Sequence, residues 1–131
     1  MVLKEMASGP RCRVFAIADD TGECEFLDFC ERVGRDNPAG LAKIAAFLDR
    51  AAQRGPATNP EQFRPIRGSS GLYEFKPKPF RVLCFFDGAR MIVCTHAFKK
   101  KEKIETEVRF AERRKAEYFA SKSRGELRIE E

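Results

Sequence analysis

Between Leu72 and Phe98 the chain carries three apolar runs joined by connections too short for anything but antiparallel pairing. The runs span about 72–76, 80–86 and 90–98. Val82-Leu83-Cys84-Phe85-Phe86 is apolar at every position, which suits a central strand covered by other elements. Pro77 and Pro79 confine the first connection and fit a sheet edge. Asp87-Gly88 is a hairpin signal and predicts a two-residue turn into the third run. This meander ends by delivering Lys99, Lys100 and Lys101 immediately before a helical pattern.

The flanking segments complete a small domain. Residues 11–18 read as a further strand, closed by the turn chemistry of Asp19-Asp20-Thr21-Gly22. Phe26, Phe29, Cys30 and Val33 recur at helical spacing, and Gly34 is placed to stop that helix. Asn37-Pro38 then supplies an N-cap and a proline at the first helical position. Leu41, Ile44, Ala45, Leu48 and Ala52 form the buried stripe of this second helix, which Gly55-Pro56 ends. Residues 56–71 read as a loop, and a last helix runs from about Lys103 to Ala120. The order β-α-α-β-β-β-α predicts an α+β fold. It comprises an antiparallel sheet of about four strands, an N-terminal helical hairpin and a C-terminal helix. Residues 1–131 are expected to form a single domain, with 1–10 and 121–131 as flexible ends.

Composition narrows the class. A hydrophobic content of 43% with 12 Phe supports a packed core. No apolar run approaches the ~20 residues a membrane helix needs, and the N-terminus lacks the apolar core of a signal peptide. A cytoplasmic location is the resulting expectation. The five cysteines are odd in number and form no C-x-x-C pair, which argues against a disulfide framework and against a zinc site. Neither a metal nor a cofactor is called for. Charge is unevenly spread. Residues 64–124 hold 16 Lys/Arg against 7 Asp/Glu, whereas residues 1–63 hold 8 against 10. The basic excess therefore lies in the segment that carries the meander, where a polyanion is one natural partner and a merely solvated face the other reading.

The candidate site residues follow from that placement. Arg81 is a lone cation in an apolar strand. Its planar fork suits phosphate, although pairing with Glu74 on the sheet face is the alternative. Lys99, Lys100 and Lys101 are a phosphate-binding cluster or a solvated run. Crowding of like charge lowers a lysine pKa, so one of them could act as a base. Alternation places Lys100 on the face of Phe98 and His96, with Lys99 and Lys101 on the other. His96 is the one side chain that ordinarily titrates near neutrality. It is read either as a contact to a polyanion or as a core histidine facing the same way as Ile92, Cys94 and Phe98. Lys76, and Arg64 and Arg67 in the loop, are further candidates for contacts to a polyanion backbone. Tyr73 and Phe98 are core aromatics or platforms for a base.

The ordered set Leu72-Tyr73-Glu74-Phe75-Lys76, Arg81-Val82-Leu83, His96-Ala97-Phe98-Lys99-Lys100, then Glu107, Ala111, Arg114 and Tyr118 resembles the HigB-like, phage-derived branch of the RelE superfamily of toxins. The resemblance spans residues 72–118. Lys76 stands where that branch usually has Arg, and Ala97 where it has Gly. The resemblance implies a RelE-like fold and an endoribonuclease toxin of a type II toxin–antitoxin system that cuts mRNA on the ribosome. It also implies an antitoxin partner, generally of helix-turn-helix type, and favours Lys99 and Lys100 beside Arg81 as catalytic residues.

RNA brings its own nucleophile, the 2′-OH. Cleavage needs a base for that proton, charge stabilisation on the phosphate and an acid for the leaving 5′-oxygen. Positioned acid–base groups contribute about 10²–10⁴-fold each, and fixed cations aimed at the developing charge act alongside them. A protein can do this without a metal, with only Lys, Arg, His or Tyr. A non-catalytic module that holds RNA or an acidic protein segment on the same basic face is the competing reading. A phage protein that inhibits a host factor by direct contact is a third.

Overall fold

A computed structural model describes residues 1–130. The meander forms as its spacing dictates. Strands β4 (Tyr73–Phe75), β5 (Phe80–Phe86) and β6 (Met91–Lys99) pair antiparallel in sequence order. The turn between β5 and β6 is longer than the expected two residues. Residues 87–90 form the loop, closed by the Asp87 N–H donating to the Met91 carbonyl at 2.9 Å.

The sheet is wider than four antiparallel strands. Strands β1 (Val2–Ser8) and β2 (Arg13–Ala18) form a hairpin that joins the meander through a parallel β2–β6 pairing. β3 (Phe63–Pro65) lies against β4 within what the sequence suggested was loop. β7 (Arg128–Glu130) pairs in parallel with β1. The seven strands of the described residues run β3-β4-β5-β6-β2-β1-β7. Residues 1–10 contribute a strand whose Val2 and Leu3 are buried, and part of the 121–131 tail returns to the sheet edge.

Helices cover both faces. α1 (Glu25–Asp36) and α2 (Pro38–Arg54) form the hairpin on one side, over Val14, Ala16, Val82, Cys84, Ile92 and Cys94. α3 (Glu105–Ser123) packs Ala111 and Tyr118 on the other side, over Phe15, Ile17, Leu83, Phe85 and Val93. The break between α1 and α2 is set by Asn37, whose side chain accepts from the Gly40 N–H at 2.9 Å, with Pro38 next to it. Gly34 does not end α1, which continues to Asp36. Its role is clearance, because a Cβ there would stand 2.7 Å from Leu41 Cδ2 of the facing helix. α3 is tied to the sheet by Tyr118, whose hydroxyl donates to Asp87 at 2.6 Å, while Lys122 bonds both oxygens of the same carboxylate at 2.8 Å.

One irregularity decides where β6 points its side chains. Leu83 pairs with His96, but Cys84 pairs with Cys94, so Thr95 is an extra residue in the ladder. Such a bulge shifts the alternation by one. Ile92 and Cys94 face the helical hairpin, whereas Phe98, and His96 with it, face α3. The simple alternation expected for His96 with Ile92 and Cys94 is corrected by this bulge.

Candidate nucleic-acid interface

The bulge brings His96 and Phe98 onto the face that β5 gives to Arg81 and β4 to Glu74. Across the ladder Arg81 pairs with Phe98, Leu83 with His96 and Glu74 with Leu83. β3 adds Arg64 directly opposite Glu74. Period-2 geometry thus assembles charged groups from four strands on one patch.

Its centre is a single carboxylate surrounded by cations. Glu74 is almost fully buried, and its Oε1 accepts from Arg64 Nε at 2.8 Å. Its Oε2 lies 3.9 Å from Arg81 Nε, and the Arg81 side chain is only 7% exposed. Arg81 also donates from Nη1 to the Phe80 carbonyl at 3.0 Å. Lys76, one residue beyond β4, is buried beside them. Burial pushes its pKa down, and the neighbouring Arg64 and then Arg81 add to that effect against the opposing pull of Glu61 and Glu74. Among the described residues its ammonium makes no hydrogen bond or ion pair. Arg64, Lys76 and Arg81 against Glu74 leave an excess of positive charge held on a rigid sheet.

A second cluster adjoins the first through Phe98. His96 Nε2 lies 2.9 Å from Glu107 Oε1, and the other oxygen of Glu107 pairs with Lys101. Lys101 Nζ sits 5.8 Å from the centroid of the Phe98 ring. His96 Nδ1 lies 3.0 Å from the Thr95 hydroxyl, which is itself 3.3 Å from the Leu83 carbonyl. The imidazole packs edge-on against Phe110 of α3 at 4.7 Å. Burial lowers the His96 pKa, and the hydrogen bond it donates to Glu107 pulls the other way. For Glu107 burial alone would raise the pKa, but Lys101 and then His96 outweigh it and hold it low.

The sequence candidates are distributed as follows. Arg64, Lys76 and Arg81 come together, and Arg81 has the partner that the alternative reading gave it, Glu74. His96 is buried under Phe98 and Phe110 and presents no open edge to a surface ligand. Lys101 reaches the His96 side through Glu107, contrary to simple alternation, because β6 has already ended at Lys99. Lys99 pairs with Phe80, which packs in the hairpin-side core, so Lys99 leaves the ladder on the face opposite Arg81. Lys99 and Lys100 are exposed, and the Lys100 N–H is fixed on the Pro79 carbonyl at 2.8 Å. Arg67 is exposed in the 66–72 turn. That turn is clamped to α3 by the Ser70 N–H donating to Glu112 and by Lys115 on the Ser70 carbonyl. Tyr73 faces the other side of the sheet, stacked on Phe63 at 5.4 Å. Sequence reasoning gave Thr95 and Glu107 no task. Only the appearance of Glu107 in the family-like set hinted at one.

A polar cavity of about 350 Å³ between α1 and α3 includes none of these cations, being lined by Asp19, Glu25, Arg32, Phe110 and Arg114 among others. Among the described residues no group of His, Cys, Asp or Glu is arranged to hold a metal ion, and no helix is long and apolar enough to cross a membrane.

No curated protein matches the chain. Residues 37–117, more than half of it, match the family described as phage derived protein Gp49-like (DUF891). That segment takes in α2, the meander, both clusters and most of α3. The chain therefore belongs to the Gp49-like phage-derived family, within the RelE/HigB-like toxin superfamily.

Proposed function

We propose that the protein is an endoribonuclease toxin of a type II toxin–antitoxin pair that cuts mRNA held on the ribosome. The observation that carries the reading is the group of Arg64, Lys76 and Arg81 around the lone carboxylate of Glu74 on one sheet face. A scissile phosphate replaces part of Glu74 as the partner of Arg81 and Arg64, and their forks stabilise the phosphorane charge. Lys76, whose lowered pKa favours the neutral amine, takes the proton of the attacking 2′-OH in that form and becomes the ammonium. The exposed Lys100 holds an adjacent phosphate and supplies the proton to the leaving 5′-oxygen, whereas Lys99, on the opposite face of the sheet, takes no part. The products carry 2′,3′-cyclic or 3′-phosphate ends. Family membership supports an antitoxin partner, and we assign it to the helix-turn-helix class.

Primer extension on a defined mRNA in purified bacterial ribosomes tests this. Wild type produces cuts at the A-site codon. Lys76→Met and Arg81→Ala each weaken them by about 10²-fold or more, and Lys100→Ala weakens them less. Folded wild type that yields no cuts refutes the enzyme.

The second reading, a binding module on the same face, is favoured by the occupied state of Arg81, which already has Glu74 and the Phe80 carbonyl as partners. It predicts salt-sensitive RNA binding without cleavage.

A further inference from the structure

The His96 cluster is built to accept a proton without losing a hydrogen bond. With a neutral ring, Nε2–H donates to Glu107 Oε1 and the Thr95 hydroxyl donates to Nδ1. With a charged ring, Nδ1–H donates to the Thr95 oxygen. A rotation of that hydroxyl then redirects its own hydrogen to the Leu83 carbonyl, 3.3 Å away. A buried histidine in an ordinary core lacks such a second arrangement and leaves one group unpaired on protonation. The bulge at Thr95 is what brings this hydroxyl between strand and ring.

Protonation has a consequence at the other oxygen of Glu107. While the ring is neutral, the single negative charge of Glu107 serves Lys101. Once the ring is charged, Glu107 is compensated from within the protein by a side chain that is 7% exposed and unable to leave. Lys101 is 49% exposed and becomes the surplus cation. It sits over Phe98, which pairs with Arg81 in the ladder, at the rim of the phosphate patch.

We propose that Thr95, His96 and Glu107 form a proton-gated latch on Lys101, releasing its ammonium to an RNA phosphate when His96 is protonated. The RNA part of this inference rests on the phosphate-site reading above. The groups facing the imidazole are Glu107 and Phe110 from α3, Lys101 from the segment leading into α3, Glu25 from α1, and Thr95 and Phe98 from β6. Of the charged ones, Lys101 alone opposes protonation, whereas Glu107 and Glu25 favour it. Glu107 is thus a positioning residue, acting on RNA only through Lys101. Linkage makes the effect reciprocal, so RNA that captures Lys101 raises the affinity of His96 for a proton.

His96 is the only histidine in the chain, so its imidazole resonances can be followed by NMR in the full-length protein without assignment ambiguity. The neutral ring is expected to carry its hydrogen on Nε2. Lys101→Ala is expected to raise the titration midpoint in the absence of RNA. A non-cleavable 2′-O-methyl oligoribonucleotide is expected to raise it in wild type and not in Lys101→Ala. A rise of about half a pH unit requires RNA binding to tighten about threefold across the titration, measured independently by fluorescence anisotropy. An unchanged midpoint on removing Lys101, with RNA binding intact, overturns the latch alone. Absence of RNA binding at low salt overturns the phosphate-site reading and the release of Lys101 to RNA with it.

Discussion

Removing the carboxylate at the centre of the patch tests the energetic argument most directly. Glu74→Gln keeps the size and one acceptor oxygen but removes the carboxylate that pairs with Arg64 and Arg81. Arg64 is half exposed and can turn to water, so the cost falls on Arg81, whose side chain is 7% exposed. At 3.9 Å the Arg81–Glu74 attraction amounts to about 4 kcal/mol for an effective dielectric of about 20. Breaking a buried pair by neutralising one partner costs about 3–5 kcal/mol, because the remaining charge stays desolvated. For a chain of 131 residues this lowers Tm by about 10–20 °C. Urea denaturation followed by circular dichroism measures the loss. The same experiment with a 2′-O-methyl oligoribonucleotide supplies the second half of the test. A polyanion restores what the carboxylate provided, so it stabilises Glu74→Gln by more than it stabilises wild type at equal concentration. A Glu74→Gln protein within about 0.5 kcal/mol of wild type refutes the view that Arg81 depends on Glu74. Equal stabilisation of both proteins by RNA refutes the view that phosphate and Glu74 compete for the same cations.

Two further outcomes are expected. Burial alone would raise the Asp87 pKa, but its bonds to Lys122 and Tyr118 hold it below the usual carboxylate value. Its stabilising effect is therefore present above the unfolded pKa of about 4 and is lost as pH falls through the folded value. Asp87→Asn should lower stability by about 1–3 kcal/mol at pH 7, with the difference from wild type shrinking below about pH 4, as pH-resolved urea titrations would show. All five thiols are buried with raised pKa values, Cys30 up to about 11, so native protein at neutral pH should react with a thiol reagent only as it unfolds. Rapid labelling of folded protein would contradict the packing of that core.

Much of the scaffold was legible because its signals are local. The apolar runs of β5 and β6, the Asn37-Pro38 break and the stripe of α2 each depend on residues within a few positions of one another. β1 was not legible, because Lys4 and Glu5 interrupt its apolar pattern and both remain partly exposed in the strand. β7 and β3 are three residues each, too short for a period to register, and β3 ends in a proline. Of the site, Arg81 and the Lys99–Lys101 run stood out as cations in or beside apolar sequence. Lys76 was marked only as an RNA contact. What distinguishes it is burial next to Arg64 and Arg81, and both neighbours lie on other strands.

By itself the sequence determined the antiparallel meander, the helical hairpin, the C-terminal helix and the concentration of positive charge in the segment that builds them. These follow from side-chain periodicity and composition, which are properties of the chain before it folds. The tertiary structure decided which charges meet. Arg64 reaches Glu74 only because β3 pairs with β4, and Lys101 reaches His96 only because α3 presents Glu107 to both. The orientation of His96 and Phe98 depended on one extra residue at Thr95, whose insertion reverses the facing of everything after it in β6. A period of two carries no record of where it will be interrupted, since the interruption is set by hydrogen bonds to the neighbouring strand.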